Sequence, residues 1–166
     1  DTPIGSLDLL SDEDRKQLSL LNDTFAEVPA RDLWNLIFDD RPPADEKTAL
    51  IVGEESVGFR ELAEAADQLA AHLAQNIQKG DRLAVCLSRS MDLVVALLAA
   101  LRLGAVYVPL DPTHPTGRLE GILTDAKPKL LLADRTLSLS VARPTVDLRA
   151  NRDAIATTQS ELHPYW

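Results

Sequence analysis

The sequence has a single cysteine, Cys86, few aromatic residues (4%), and no cluster of Lys and Arg that gathers positive charge in one place. Each shortage removes a class of function. One cysteine forms no internal disulfide, which fits a reducing compartment, and its place inside an apolar run marks Cys86 as a small buried hydrophobe rather than a nucleophile. With 17 basic against 26 acidic side chains the formal charge is −9, which argues against a phosphate-backbone partner, so nucleic acid is set aside. The opening DTPIGSLDLL has neither a positive region nor a long apolar core. The nine apolar residues from Leu93 to Leu101 fall far short of the about 20 that a bilayer asks for. Neither a secretion signal nor a membrane partner is expected, and the default location is cytoplasmic. Also missing are a Gly-rich phosphate loop, a metal cluster and a catalytic Lys or Asp in a recognisable setting.

What is present is an aliphatic core: 45% of the 166 residues are hydrophobic, mostly Leu, Ala and Val, enough for one domain. The densest information lies in Gly80 to Pro112. Gly80-Asp81 is a turn signal, and Leu83 to Leu87 is apolar on both faces, as suits a strand covered above and below in a parallel sheet. Ser88 or Ser90 then caps a helix, with Asp92 in its first turn. The all-apolar run Leu93 to Leu101 predicts a helix buried nearly all round. Arg102 places a cation in the last turn, Gly104 supplies a left-handed stop, and Ala105 to Leu110 returns as a second strand bounded by Pro109 and Pro112. A crossover of this length is parallel and right-handed.

Around this unit the pattern is regular. Ser11 caps a short helix with Asp14 three residues on, in the manner of a capping box, and Leu18, Leu20 and Leu21 on one side. Leu33, Trp34, Ile37 and Phe38 recur at helical spacing between Arg31 and Asp39, with Trp34 as a packing anchor, and Pro42-Pro43 ends that helix. Thr48 to Val52 and Val57 to Phe59 read as a hairpin about Gly53 to Ser56. Arg60 to Asn76 carries Leu62, Ala65, Ala66, Leu69 and Leu73 on one stripe, and His72 is a solvated or half-buried helix residue. Pro115 starts a helix that ends near Ala126, and Lys129 to Ala133 is a third apolar run, expected to be another parallel strand. Val146 to Leu148 is a candidate short strand, and Ala150 to Trp166 has no clear period. The expected fold class is α/β: a mostly parallel sheet with flanking helices.

These residues resemble the start of an adenylation domain of a nonribosomal peptide synthetase, in the superfamily of AMP-forming ligases. Val57-Gly58-Phe59-Arg60-Glu61-Leu62 is similar to the family segment written L-T/S-Y-x-E-L. The stretch from Leu101 to Asp111, LRLGAVYVPLD, is similar to L-K-A-G-x-A-Y-V-P-L/I-D. The intervening Lys79 to Leu87 and Arg89 to Ala99 also resemble the family, and Leu7 to Thr24 is similar to the connector that leaves a condensation domain. Gly58 stands where the family prefers Thr or Ser, and Leu103 where it prefers Ala, so the hairpin exit and the helix end are expected to be built less tightly. The tail His163-Pro164-Tyr165-Trp166 resembles the residues that lead into the phosphate loop.

The resemblance implies a partial adenylation N-terminal subdomain, divided into a linker and docking helix (1–40), a truncated α/β subdomain (41–135) and a poorly defined tail (136–166). It implies a parent ligase that activates an amino acid with ATP and Mg as aminoacyl-AMP. The groups that handle ATP and select the amino acid would lie downstream, so no cofactor is expected to bind this chain and the chain alone is expected to be inactive. The implied partners are neighbouring synthetase domains: condensation, the remainder of the adenylation domain, or carrier. A remnant that serves as a structural or docking module between such domains is the alternative. A different doubly wound protein, such as a receiver domain, fits the alternation of elements but not Tyr107 to Pro112 after a helix ending in Gly104.

Two residues remain as candidates for chemistry. Asp111 follows a strand, where α/β sites collect, but a turn or helix-entry residue before Pro112 is the preferred reading, and Asp111 with His114 lacks the third partner that a metal site or triad needs. The sequence therefore assigns no catalytic, cofactor-binding or metal residue.

Overall fold

A computed structural model describes residues 10–27, 33–38, 47–134, 139–140 and 144–158. By its contacts the chain divides into two units, Asp1–Arg31 and Asp32–Trp166.

In the first unit, helix α1 (Asp12–Leu21) begins with the expected capping box. The Ser11 hydroxyl oxygen accepts from the Asp14 N–H at 3.2 Å, and the Ser11 N–H donates to Asp14 Oδ2 at 3.0 Å. Two orphan backbone donors are thereby satisfied inside one turn. No residue of α1 is buried.

In the second unit, after α2 (Leu33–Phe38), a hairpin forms from β1 (Thr48–Val52) and β2 (Glu55–Gly58), paired antiparallel. The turn is shorter than the sequence suggested, because Gly53 at φ 63° reverses the chain with Glu54 and lets Glu55 and Ser56 join the ladder. Helix α3 (Phe59–Leu73) follows directly, with Gly58 as an N-cap that offers no side-chain hydrogen bond. Gly58 thus leaves this helix start without the hydroxyl cap that Thr or Ser would give.

Strands β3 (Arg82–Cys86), β4 (Val106–Pro109), β5 (Leu130–Ala133) and β6 (Thr145–Asp147) form a parallel sheet in the order β4-β3-β5-β6. Pro109 is tolerated because β4 is an edge strand. Successive residues of the central strands serve opposite faces. Leu83, Val85, Leu130 and Leu132 pack with Leu69, Leu73, Ala96 and Ala99 of α3 and α4 (Met91–Arg102). Ala84, Cys86 and Leu131 pack with Leu119 and Leu123 of α5 (Thr116–Ala126). This two-sided burial explains why β3 and β5 show no polar alternation.

Helix α4 is capped by Ser90, whose hydroxyl oxygen accepts from the Leu93 N–H at 3.4 Å. It ends in a Schellman pattern: the Ala105 N–H donates to the Ala100 carbonyl and the Gly104 N–H to the Leu101 carbonyl, with Gly104 at φ 61°. The expectation of all-round burial is corrected. Ala96, Leu98, Ala99 and Ala100 are buried, but Leu97 is 38% exposed and Leu93, Val94 and Val95 are half-buried. The helix packs with α3 on one face of the sheet, Leu98 joins the cluster around Trp34, and Leu97 faces outward. Arg102, the cation expected in the last turn, is there and is only 5% exposed.

Among the described residues after Ala150 there is one short helix, α6 (Arg152–Ala156), missed because five residues are too few to display a period. Arg152 reaches Asp92 of α4 at 3.3 Å. The expected helix ends at Arg31 and Asp39, Pro42-Pro43, and the tail His163 to Trp166 lie outside the described residues.

Candidate functional site

Strand β3 is followed by α4 on one face of the sheet, and the neighbouring β4 is followed by α5 on the other. Chain leaving two adjacent strands in opposite directions opens a crevice beyond their carboxyl ends, the place where open α/β sheets collect ligands. A cavity of about 490 Å3 lies there, lined by Ser88, Arg89 and Leu93 from the β3 side and by Tyr107, Asp111 and Thr113 from the β4 side, among others.

The polar groups at this crevice are largely committed to holding the chain. Asp111 Oδ1 accepts from the Thr113 N–H at 2.8 Å and from the Thr113 hydroxyl at 2.7 Å, and the Asp111 carbonyl accepts from the His114 N–H. This is an Asx turn. The Thr113 N–H, then its hydroxyl, hold the Asp111 carboxyl below the ordinary carboxylate value, with His114 and Arg89 acting in the same direction. Asp111 is thus an ionised turn residue, as its simpler reading required. The structure brings His114 beside it but supplies no third ligand among the described residues.

Tyr107 lines the same crevice, and burial pushes its phenol up. Cys86 is fully buried beneath the sheet face that α5 covers.

One residue at this end of the sheet escaped the sequence reading. Asp134, 9% exposed, follows β5 as Leu87 follows β3, and its Oδ2 accepts from the Ser88 N–H at 3.3 Å. Among the described residues its Oδ1 has no hydrogen-bond partner, and neither has the buried Nδ1 of His114. The available signal was positional: a carboxylate directly after the buried run LLLA must sit at the strand's carboxyl end.

Phosphate binding would need converging backbone N–H groups and a cation, and magnesium a set of oxygen ligands. Among the described residues no three His, Cys, Asp or Glu side chains come together in a metal-holding group. Among them, too, Arg89 is the one cation lining the crevice, and it stands beside the Asp111 carboxylate. The residues present do not by themselves fit an ATP–magnesium complex. No described helix is long and apolar enough to cross a membrane.

Comparison with known proteins agrees with this architecture. Residues 40–164 match the family model described as AMP-binding enzyme. Malpinin synthetase of Mortierella alpina is 32% identical over 166 residues, which is 98% of this chain but 2% of that protein. The N-terminal subdomain of Klebsiella oxytoca NpsA, solved with anthranilyl-AMSN, superposes with a TM-score of 0.63 at 30% identity, over 72% of this chain and 31% of that one. NpsA in an artificially fused adenylation–PCP di-domain superposes with a TM-score of 0.67 at 29% identity, over 73% of this chain and 23% of that one. The chain therefore spans a small part of the relatives that it matches.

Proposed function

The chain belongs to the AMP-binding enzymes, as part of an adenylation domain of the nonribosomal peptide synthetase kind, and from this premise we propose that it is non-catalytic scaffold for a site completed by other segments. The parent would join the carboxylate of an amino acid to the α-phosphate of ATP, releasing pyrophosphate and leaving aminoacyl-AMP. Within it, the β3-β4-β5 sheet would present a rigid crevice while the ATP, magnesium and amino-acid groups come from elsewhere in the domain. The observation that carries this reading is the crevice itself. It sits where a ligand would be expected, yet Asp111 and Thr113 are spent on a turn and no phosphate cradle converges on it among the described residues.

On this proposal residues 1–40 act as linker and docking helix, 41–135 as the α/β support and 136–166 as the tail toward the phosphate loop. The capped but wholly exposed α1 supports the first assignment, since its leucines await a surface. The proposed partners are the condensation and carrier domains and the rest of the adenylation domain, in a cytoplasmic setting.

ATP–pyrophosphate exchange with a panel of amino acids tests the reading. The expected result is exchange by a complete domain carrying this segment and none by the 166-residue chain. Exchange above background by the chain alone would overturn the scaffold assignment.

A further inference from the structure

Helix α2 is only six residues long, too short to hold itself in water, and its one buried side chain is Trp34. Trp34, 7% exposed, enters a groove made by Val57 of the hairpin, Leu62 and Ala66 of α3 and Leu98 of α4. Phe38, one turn on, packs against it with ring centroids 4.5 Å apart and ring planes tilted by 44°. Leu33, Leu36 and Ile37 face outward. At the groove, the Arg102 guanidinium carbon lies 5.2 Å from the Trp34 ring centroid, and Arg102 Nε donates to Asp67 Oδ1 at 2.6 Å. A cation 5% exposed is thus held between a carboxylate on α3 and an aromatic ring on α2.

We propose that α2 is a strap: a helix clipped into the α3–α4–hairpin groove through Trp34, which opens as a unit while the parallel sheet stays folded. Asp67 is the positioning residue, because it fixes the guanidinium plane that the indole covers. An arginine suits this role where a lysine does not, since its planar group meets a ring face and a carboxylate at once.

Native-state hydrogen exchange on the full chain tests the strap. In the unaltered protein, α2 amides exchange through a local opening, faster than those of β3 and β5. Asp67→Asn and Arg102→Lys raise α2 exchange about tenfold and leave β3 and β5 protection unchanged. Trp34 is observed alone after Trp166→Phe, and its emission shifts to the red in both clip variants. If a clip variant fails to fold, the unaltered chain still decides. Exchange of α2 in step with β3 and β5 in that chain overturns the strap, and so does an α2 rate indifferent to Asp67→Asn in a folded variant.

Discussion

Strand β5 and helix α1 are both leucine-rich, and they are held by opposite means. In β5 every residue from Leu130 to Ala133 is buried, each side chain serving one of two faces. In α1 Leu18, Leu20 and Leu21 are 44%, 67% and 74% exposed, and what secures the helix start is a ring of hydrogen bonds about Ser11 and Asp14. Leucine content alone does not say which kind of element a segment becomes. The difference lies in spacing and punctuation: LLLA between Pro128 and Asp134 is too short and too uniformly apolar for a surface helix, whereas DEDRKQ after a serine is a capped, charged helix start.

The sharpest test of this contrast removes volume from the strand. Leu132 is fully buried between β3 and β6, against the α3–α4 layer, so Leu132→Ala loses transfer energy and leaves a cavity in a close-packed region. Urea denaturation of the variant is expected to show a loss of about 2–5 kcal/mol. A loss below that range would mean that the sheet closes around the gap and that β5 is not the rigid centre which its burial implies.

A smaller effect is expected at Ser90, where both means of holding an element meet. Helix α4 is packed against the core, yet it also depends on one hydroxyl, which accepts from the Leu93 N–H and donates to the Ser88 carbonyl. Ser90→Ala should cost about 1 kcal/mol in the same denaturation assay. If burial alone held α4, the substitution would be silent.

Sequence patterns made the scaffold readable for identifiable reasons. Strands β3, β4 and β5 and the helices α3, α4 and α5 are announced by apolar runs or apolar helical spacing with Gly, Pro or Ser near their ends, so local preference and tertiary environment agree. The capping box of α1 and the left-handed Gly104 are likewise written in adjacent residues. Besides the short α6, three features were not legible, because each depends on residues far apart in the chain. Arg102 was expected in the last turn of α4, but its setting was not visible because Asp67 and Trp34, which lie against it, are 35 and 68 positions away. Asp134 gained its meaning only when parallel pairing set it beside Ser88. The exposed side of α4 could not be foreseen from a run that is apolar throughout. The turn at Asp111 was legible from Pro112, whereas the crevice it borders appears only once β3 and β4 are paired.

The least costly way to separate the two regimes is acid. The hydrogen bonds from the Ser11 hydroxyl, then from its backbone N–H, hold the Asp14 carboxyl below its ordinary value of 3.8. A carboxylate whose folded value is depressed adds stability that is complete above the unfolded value and disappears as pH falls through the folded one. Backbone chemical shifts of Asp12 to Leu21 should therefore keep their helical character at neutral pH and lose part of it only below about pH 4, in step with protonation of Asp14. Ser11→Ala should shrink that step and lower the helical shifts at all pH values, because the Asp14 N–H then has no hydroxyl to accept it and the carboxylate loses its hydroxyl donor while keeping the backbone N–H of position 11. Alpha-helical shifts that ignore both acid and Ser11→Ala would show that packing, not capping, secures α1, and would make it the same kind of element as β5.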